Sequence, residues 1–369
     1  MVPTLFLCSM NVGPNSLPRL IDNALQLLKA LIATPSMSRE EGPTAELIAT
    51  YLRLHGITSK RVGHNVWAQN RHFDPRKPTL LLNSHHDTVK PNASYTRDPF
   101  APTIEDGKLY GLGSNDAGGC LVSLLGTFVH FHDRADLAYN LVIAASAEEE
   151  ISGRGGIELL LPHLPPIDVA LVGEPTQMHL AIAEKGLMVL DCTVRGRAGH
   201  AARDEGENAI TKAMPDLQWF QTYQYPNVSP LLGPVKQSVT IIQSGTQHNV
   251  VPDTCTFTVD VRVTEQYTLE EVLDIVRTNV QAEVVPRSVR LRSSGIAVEH
   301  PLVQAGLALG RTTYGSPTLS DQALLPMPSL KCGPGHSERS HTADEFIYLI
   351  ELEEGIAGYV TMLEGLVLR

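Results

Sequence analysis

Two periods of apolar residues alternate along the 369-residue chain, and each predicts its own kind of element. Leu20, Ile21, Ala24, Leu25 and Leu28 share one helical face over residues 20–30, and a similar stretch over 45–54 ends before Gly56. Residues 79–82, 141–145 and 169–172 are short apolar runs bounded by polar or turn residues, as strands buried on both faces require. A helical pattern over 121–131 separates the first two. Buried strands alternating with helices predict an α/β fold whose mostly parallel sheet is covered by helices.

Farther along, the period shortens to two. Met188, Leu190, Cys192 and Val194 alternate with Asp191, Thr193 and Arg195, and Cys255, Phe257, Val259 and Val261 alternate with Thr256, Thr258, Asp260 and Arg262. Such alternation predicts antiparallel strands with one solvated face. Helices are predicted over 208–223 and 269–280, the second announced by Thr268 and Glu271 as a capping box. Helical periodicity returns over 302–309 and 349–366. The chain thus divides into a discontinuous domain of residues 1–178 and 294–369 and an inserted α+β domain of residues 179–293.

With 43% hydrophobic and 19% charged residues, 29 Gly and 25 Pro, the chain has the make-up of a compact protein rich in turns. A formal net charge of −11 repels nucleic acid and anionic membrane alike, so the expected partner is a small ligand. No apolar run approaches the ~20 residues that span a bilayer. The five cysteines, Cys8, Cys120, Cys192, Cys255 and Cys332, are scattered and form no C-x-x-C pair. They predict neither a disulfide framework nor a thiolate zinc site, and a reducing, cytoplasmic setting is expected. The apolar run of residues 2–8 lacks the basic segment of a secretory signal and reads as an extension ahead of Met10.

The chemistry sits where the predicted strands end, the edge at which an open parallel sheet gathers ligands. Residues 79–82 run into Asn83-Ser84-His85-His86-Asp87, 141–145 into Glu148-Glu149-Glu150, and 169–172 into Gly173-Glu174-Pro175. Asp116 closes the turn Gly111-Leu112-Gly113-Ser114-Asn115-Asp116, and His341 follows Gly333-Pro334-Gly335. Taken singly, each cluster is an ordinary turn or a solvated acidic stretch; together, three adjacent carboxylates at a buried sheet edge need a cation to neutralise them. Imidazole and carboxylate donors without thiolate suit Zn²⁺, with Co²⁺, Mn²⁺ or Ni²⁺ as substitutes, and two divalent ions balance the charge better than one. Paired ions of this kind hydrolyse amides.

In order and local context these residues resemble the zinc-dependent aminoacylase and carboxypeptidase family that includes acetylornithine deacetylase and succinyl-diaminopimelate desuccinylase. The resemblance covers essentially the whole chain after Met10. It implies that His85 and Glu174 hold a first metal, Glu150 and His341 a second, and that Asp116 bridges the two. It further implies that Asp87 orients the His85 imidazole and that Glu149 is the general base. The inserted domain carries its own matches: Gly199-His200, then Gly206-Glu207-Asn208-Ala209-Ile210, Asn249-Val250-Val251-Pro252 and Asp260-Val261-Arg262. They imply a ferredoxin-like lid and dimerisation domain in which His200 stabilises the oxyanion across a homodimer interface, Arg262 grips the substrate α-carboxylate and Asn249 assists. Leu112 stands where Arg is frequent in the family, and Ala117-Gly118 replaces the frequent Met-Lys.

The expected activity is removal of the acyl group from an N-acyl amino acid by two divalent ions, Zn²⁺ or Co²⁺. Likeness to the acetylornithine deacetylase branch points to N-acetyl- or N-succinyl-ornithine, and Asp321 is a candidate counter-charge for its side-chain ammonium. A dipeptidase or carboxypeptidase with the same metals, or a succinyl-diaminopimelate desuccinylase, is the alternative. A non-catalytic dimeric binding protein is disfavoured because all five ligand positions and Glu149 are present.

Overall fold

The computed structural model describes residues 16–203 and 205–368. The extension ahead of Met10, and Cys8 with it, lies outside the described residues; the other four cysteines are free and buried. The chain forms two compact units. The larger runs to Ile182 and takes in Ile296–Tyr314 and the chain from Ser320; the smaller comprises Ala183–Gly295 and Gly315–Leu319. The divisions fall at 182/183, 295/296, 314/315 and 319/320, beside the expected 178/179 and 293/294. Gly315 lies against Leu231 of the smaller unit, where a Cβ would come within 2.5 Å of the Leu231 carbonyl oxygen.

In the larger unit, β1 (Lys60–Val62), β2 (Asn65–Gln69), β6 (Asn140–Ser146), β3 (Thr79–His85), β7 (Val169–Val172) and the strand Ser329–Lys331 lie side by side in that order. From β6 to the Ser329–Lys331 strand the pairing is parallel, whereas β2 pairs antiparallel with both β6 and β1, and β1 forms the edge. After the Ser329–Lys331 strand comes β8 (Leu180–Glu184), whose Ala181 pairs with Lys331. Every residue of β3, β6 and β7 is buried, and the pleat deals them alternately to two cores. Leu80, Leu82, Leu141, Ile143, Val169 and Leu171 join one cluster with helices α1 (Leu17–Ile32), α2 (Gly42–Leu54), α3 (Gly119–Phe131), α6 (Pro301–Ala308) and α7 (Leu349–Leu363). Leu81, Val142, Ala144, Ala170 and Val172 join the other, with Trp67, Ile157 and Leu160. Each fully buried leucine contributes about 1.5–3 kcal/mol. Helix α3 is apolar almost all round because it packs on the sheet while α1 and α7 pack on it. Helix α7 stops at Leu363, short of the expected 366, and Gly365 just beyond adopts φ 69°.

A separate three-stranded sheet joins β4 (Thr103–Glu105), β5 (Lys108–Tyr110) and the strand Phe346–Tyr348. Among the described residues, no helix is long and apolar enough to cross a membrane.

The smaller unit is an antiparallel sheet of β11 (Lys236–Ser244), β13 (Thr254–Val263), β9 (Gly186–Arg195) and β14 (Glu283–Pro286), in that order. In β9 and β13 the period-two pattern holds along the strand: Met188, Leu190, Cys192, Val194, Phe257, Val259 and Val261 face one core with α4 (Ala209–Thr222) and α5 (Leu269–Asn279). The capping box at α5 is formed, with the Glu271 amide donating to Thr268 Oγ1 at 3.1 Å and the Thr268 amide to Glu271 at 2.7 Å. Asn208 caps α4 by accepting from the Ile210 amide. Strand β11 escapes sequence reading because it is an edge strand with a bulge between Val239 and Ile241 and is largely exposed.

Candidate metal centre

The parallel register aligns the strand ends that carry the acidic clusters. His85 is the last residue of β3 and lies opposite Ser146, the last of β6, while Asn83 lies opposite Val172, the last of β7. The chain leaving β6 therefore brings Glu149 and Glu150, and the chain leaving β7 brings Glu174, to the side on which His85 emerges. Asp116 arrives from the turn before α3, and His341 from the loop ahead of the Phe346–Tyr348 strand. Donor atoms of His85, Asp116 and Glu174 all lie within 4.8 Å of one another, and so do those of Asp116, Glu150 and His341. Asp116 thus belongs to both sets. His85 Nε2 is 3.3 Å from Asp116 Oδ1 and 3.9 Å from both Glu149 and Glu174; His341 Nε2 is 3.0 Å from Glu150 and 3.5 Å from Asp116 Oδ2.

Electrostatics show what these groups lack. Burial, and then the charge of Asp116 against the opposing pull of His85, pushes the Glu174 carboxyl up to about 8. Burial likewise holds Glu149 well above the carboxylate range, with His85 pulling it down and Glu174, Asp321 and Glu150 adding to the rise. A hydrogen bond donated to the Glu150 carboxylate raises His341 to about 9. Burial lowers His85, but Asp116 and Asp87 outweigh it and leave the imidazole well above its usual value. The protein's own groups thus supply protons where positive charge is wanted, and oxygen and imidazole donors in two sets of three fit divalent cations that would replace those protons.

Asp87 is buried and holds three elements together. Its Oδ1 accepts from the Glu149 amide at 3.0 Å, its Oδ2 from the Glu150 amide at 3.2 Å and from Ser38 at 2.7 Å, and His85 Nδ1 lies 3.5 Å from Oδ1 and 3.0 Å from the Asp87 carbonyl. Asp87 therefore meets the His85 imidazole through its carbonyl and holds, through its carboxylate, the backbone on which Glu149 and Glu150 ride. Glu148 and His86 take no part in either set. Glu148 turns away in a left-handed conformation, its amide donating to buried Glu41, and His86 bonds Thr44 and the His64 carbonyl.

Asp321 lies elsewhere than the sequence suggested. It is buried in the larger unit, and its Oδ2 accepts from Asn83 at 2.8 Å and Ser146 at 2.5 Å. A carboxylate committed to two interior side chains at the strand ends is already partnered inside the protein, which argues against its serving as counter-charge for a substrate ammonium. Sequence reasoning also missed Glu41 and Glu345, both buried acids that hold backbone amides. The departures at Leu112 and Ala117-Gly118 are absorbed locally: Leu112 and Ala117 are buried, and a Cβ at Gly118 would meet the Gly113 carbonyl oxygen at 2.3 Å.

In the smaller unit, His200 ends β10 (Gly199–His200), which pairs with β12 (Val250–Val251), and Asn249, in the turn just before β12, supplies its carbonyl to the Ala201 amide. His200 is exposed, and its Nδ1 accepts from the Ala202 amide at 3.1 Å, which leaves the proton of the neutral ring on Nε2. Arg262 forks onto Asp260, two residues earlier on the same strand face, at 2.8 and 3.1 Å.

Known proteins resemble the chain in sequence and in fold. The chain is 27% identical over 365 residues to acetylornithine deacetylase of Proteus mirabilis (strain HI4320), covering 89% of this chain and 93% of that one. It is 27% identical over 278 residues to succinyl-diaminopimelate desuccinylase 2 of Ruegeria sp. (strain TM1040), covering 70% and 69%. The fold matches that of the YXEP protein of Bacillus subtilis, described as a dinuclear metal binding peptidase, with a TM-score of 0.72 and 17% identity over 94% of this chain and 99% of that one. The sequence pattern of peptidase family M20/M25/M40 matches residues 81–365, a span that includes every residue of both donor sets. The chain is a metal-dependent hydrolase and belongs to peptidase family M20/M25/M40.

Proposed function

We propose that the chain removes the acyl group from an N-acyl amino acid, with two divalent ions, Zn²⁺ in the first instance, held by His85, Asp116 and Glu174 and by Asp116, Glu150 and His341. The observation that carries this reading is the double membership of Asp116, with Glu149 half-buried 3.9 Å from His85 and next in the chain to Glu150. Ions bound there would supply Lewis acidity, polarising an amide carbonyl and letting water give up a proton near neutral pH to become the hydroxide nucleophile. Glu149 takes the proton from the attacking water and delivers it to the leaving nitrogen. His200, with its proton on Nε2, donates to the oxyanion. Arg262 binds the substrate α-carboxylate, exchanging Asp260 for it as the partner of its guanidinium.

The substrate in this reading is N-acetyl- or N-succinyl-ornithine, supported by the likeness to acetylornithine deacetylase and by the net charge of −11, which favours a ligand carrying an ammonium group. The specificity constant kcat/KM for acylated ornithine is expected to exceed that for matching glutamate and diaminopimelate derivatives by at least about tenfold, or ~1.4 kcal/mol. Equal or reversed preference in a panel of these compounds rejects ornithine and leaves the deacylase standing.

The working unit in this proposal is a homodimer that shares its sites through His200. Edge strand β11 exposes Ile241 and Ile242 by 51% and 52%, as a strand awaiting a neighbour does. Mixing inactive His200→Ala chains with inactive Glu149→Ala chains under subunit exchange is expected to restore part of the activity. Hybrid dimers that form without any recovery refute the shared site.

A further inference from the structure

We infer that Glu345 is the positioning residue that sets the place of Asp116 and, through it, of both donor sets; the inference rests on the metal reading above. Glu345 is buried, four residues after His341, and no cationic side chain pairs with it among the described residues. Its carboxylate accepts three backbone N–H groups of one turn: Gly113 at 3.1 Å on Oε2, and Asn115 at 2.8 Å and Asp116 at 2.9 Å on Oε1. The Glu345 carbonyl takes a fourth, from Gly111 at 2.9 Å. A buried carboxyl group whose two oxygens accept three backbone amides of one turn fixes the path of the chain that supplies them.

The turn needs such a hold. Gly113 lies at φ 75°, and the residues that follow depart from helical geometry at Asp116 and Ala117 before α3 begins, so the turn's own hydrogen bonds do not define where the Asp116 side chain emerges. Asn115 adds a second tie to the same distant segment, exchanging hydrogen bonds with the His336 backbone at 3.0 and 3.1 Å. Residues 336–345 therefore present His341 directly and clasp the turn that presents Asp116. A carboxamide at 345 has one acceptor oxygen and places an N–H₂ group against backbone donors, so it cannot reproduce the hold.

The test is titration of metal-free wild-type, Glu345→Gln, Glu345→Asp and Asp344→Ala chains with Co²⁺, followed by calorimetry and by visible absorption, with far-UV circular dichroism and thermal unfolding of each metal-free chain. Wild type is expected to take up two ions. Glu345→Gln is expected to bind both at least tenfold more weakly with an altered Co²⁺ spectrum, while its metal-free unfolding stays close to wild type. Glu345→Asp keeps both oxygens on a shorter stem and is expected to fall between. Asp344 holds the Thr96 and Arg97 amides and not the Asp116 turn, so Asp344→Ala is expected to bind as wild type does. Wild-type affinity and spectrum in both Glu345 variants, or an equal loss in Asp344→Ala, overturns the role of Glu345. Failure of wild type to bind two ions would instead overturn the metal reading.

Discussion

Glu149→Gln is expected to retain its metal and lose a factor of about 10²–10⁴ in kcat, the range that a positioned general base contributes, or roughly 3–5 kcal/mol in barrier height. The substitution keeps the shape of the side chain and removes its ability to accept and return a proton. Glu149 Oε2 lies 3.9 Å from His85 Nε2, yet Glu149 belongs to neither donor set, whereas the next residue, Glu150, does. Its amide hangs from Asp87 and is unaffected by the side-chain change. Metal content by elemental analysis and kcat on an acylated amino acid check the expectation together. A variant with full metal and kcat within tenfold of wild type would place the base elsewhere.

Removal of the metals by chelation is expected to reduce turnover to background, with recovery on adding back two equivalents of Zn²⁺ or Co²⁺ per chain. The donor sets crowd Asp116, Glu150 and Glu174 around two imidazoles; burial raises the Glu174 carboxyl to about 8 and Glu150 raises His341 to about 9, so without cations protons would take their place. A site in that state has no Lewis acid to polarise a carbonyl. Binding to the folded chain alone also stabilises it, by about 4 kcal/mol when free metal stands at a thousand times its Kd, so the thermal midpoint is expected to fall on chelation. Full activity in protein that elemental analysis shows to be metal-free would end the two-ion reading.

The legible parts of the sequence were those where one physical requirement acts on consecutive residues. Strands β3, β6 and β7 are buried on both faces and had to be uniformly apolar, so their ends, and with them His85, Glu149, Glu150 and Glu174, could be located. Strands β9 and β13 are buried on one face and show it in their alternation. Strand β11 is an exposed edge with a bulge and carries no such constraint. Asp321 was misplaced because a polar turn says nothing about which way its acid points, and only Asn83 and Ser146, far away in sequence, reveal that it points inward. Glu345 was missed for a related reason: its partners are backbone amides, which every residue but proline has, so no side-chain pattern betrays them.

The two-sided burial of β3, β6 and β7 also divides the labour of adaptation. Their side chains are committed to one core or the other, so a substitution there disturbs packing before it can alter what the site accepts. Chemistry is thereby insulated from preference. A laboratory library seeking a new substrate has its freedom in the loops that leave these strands.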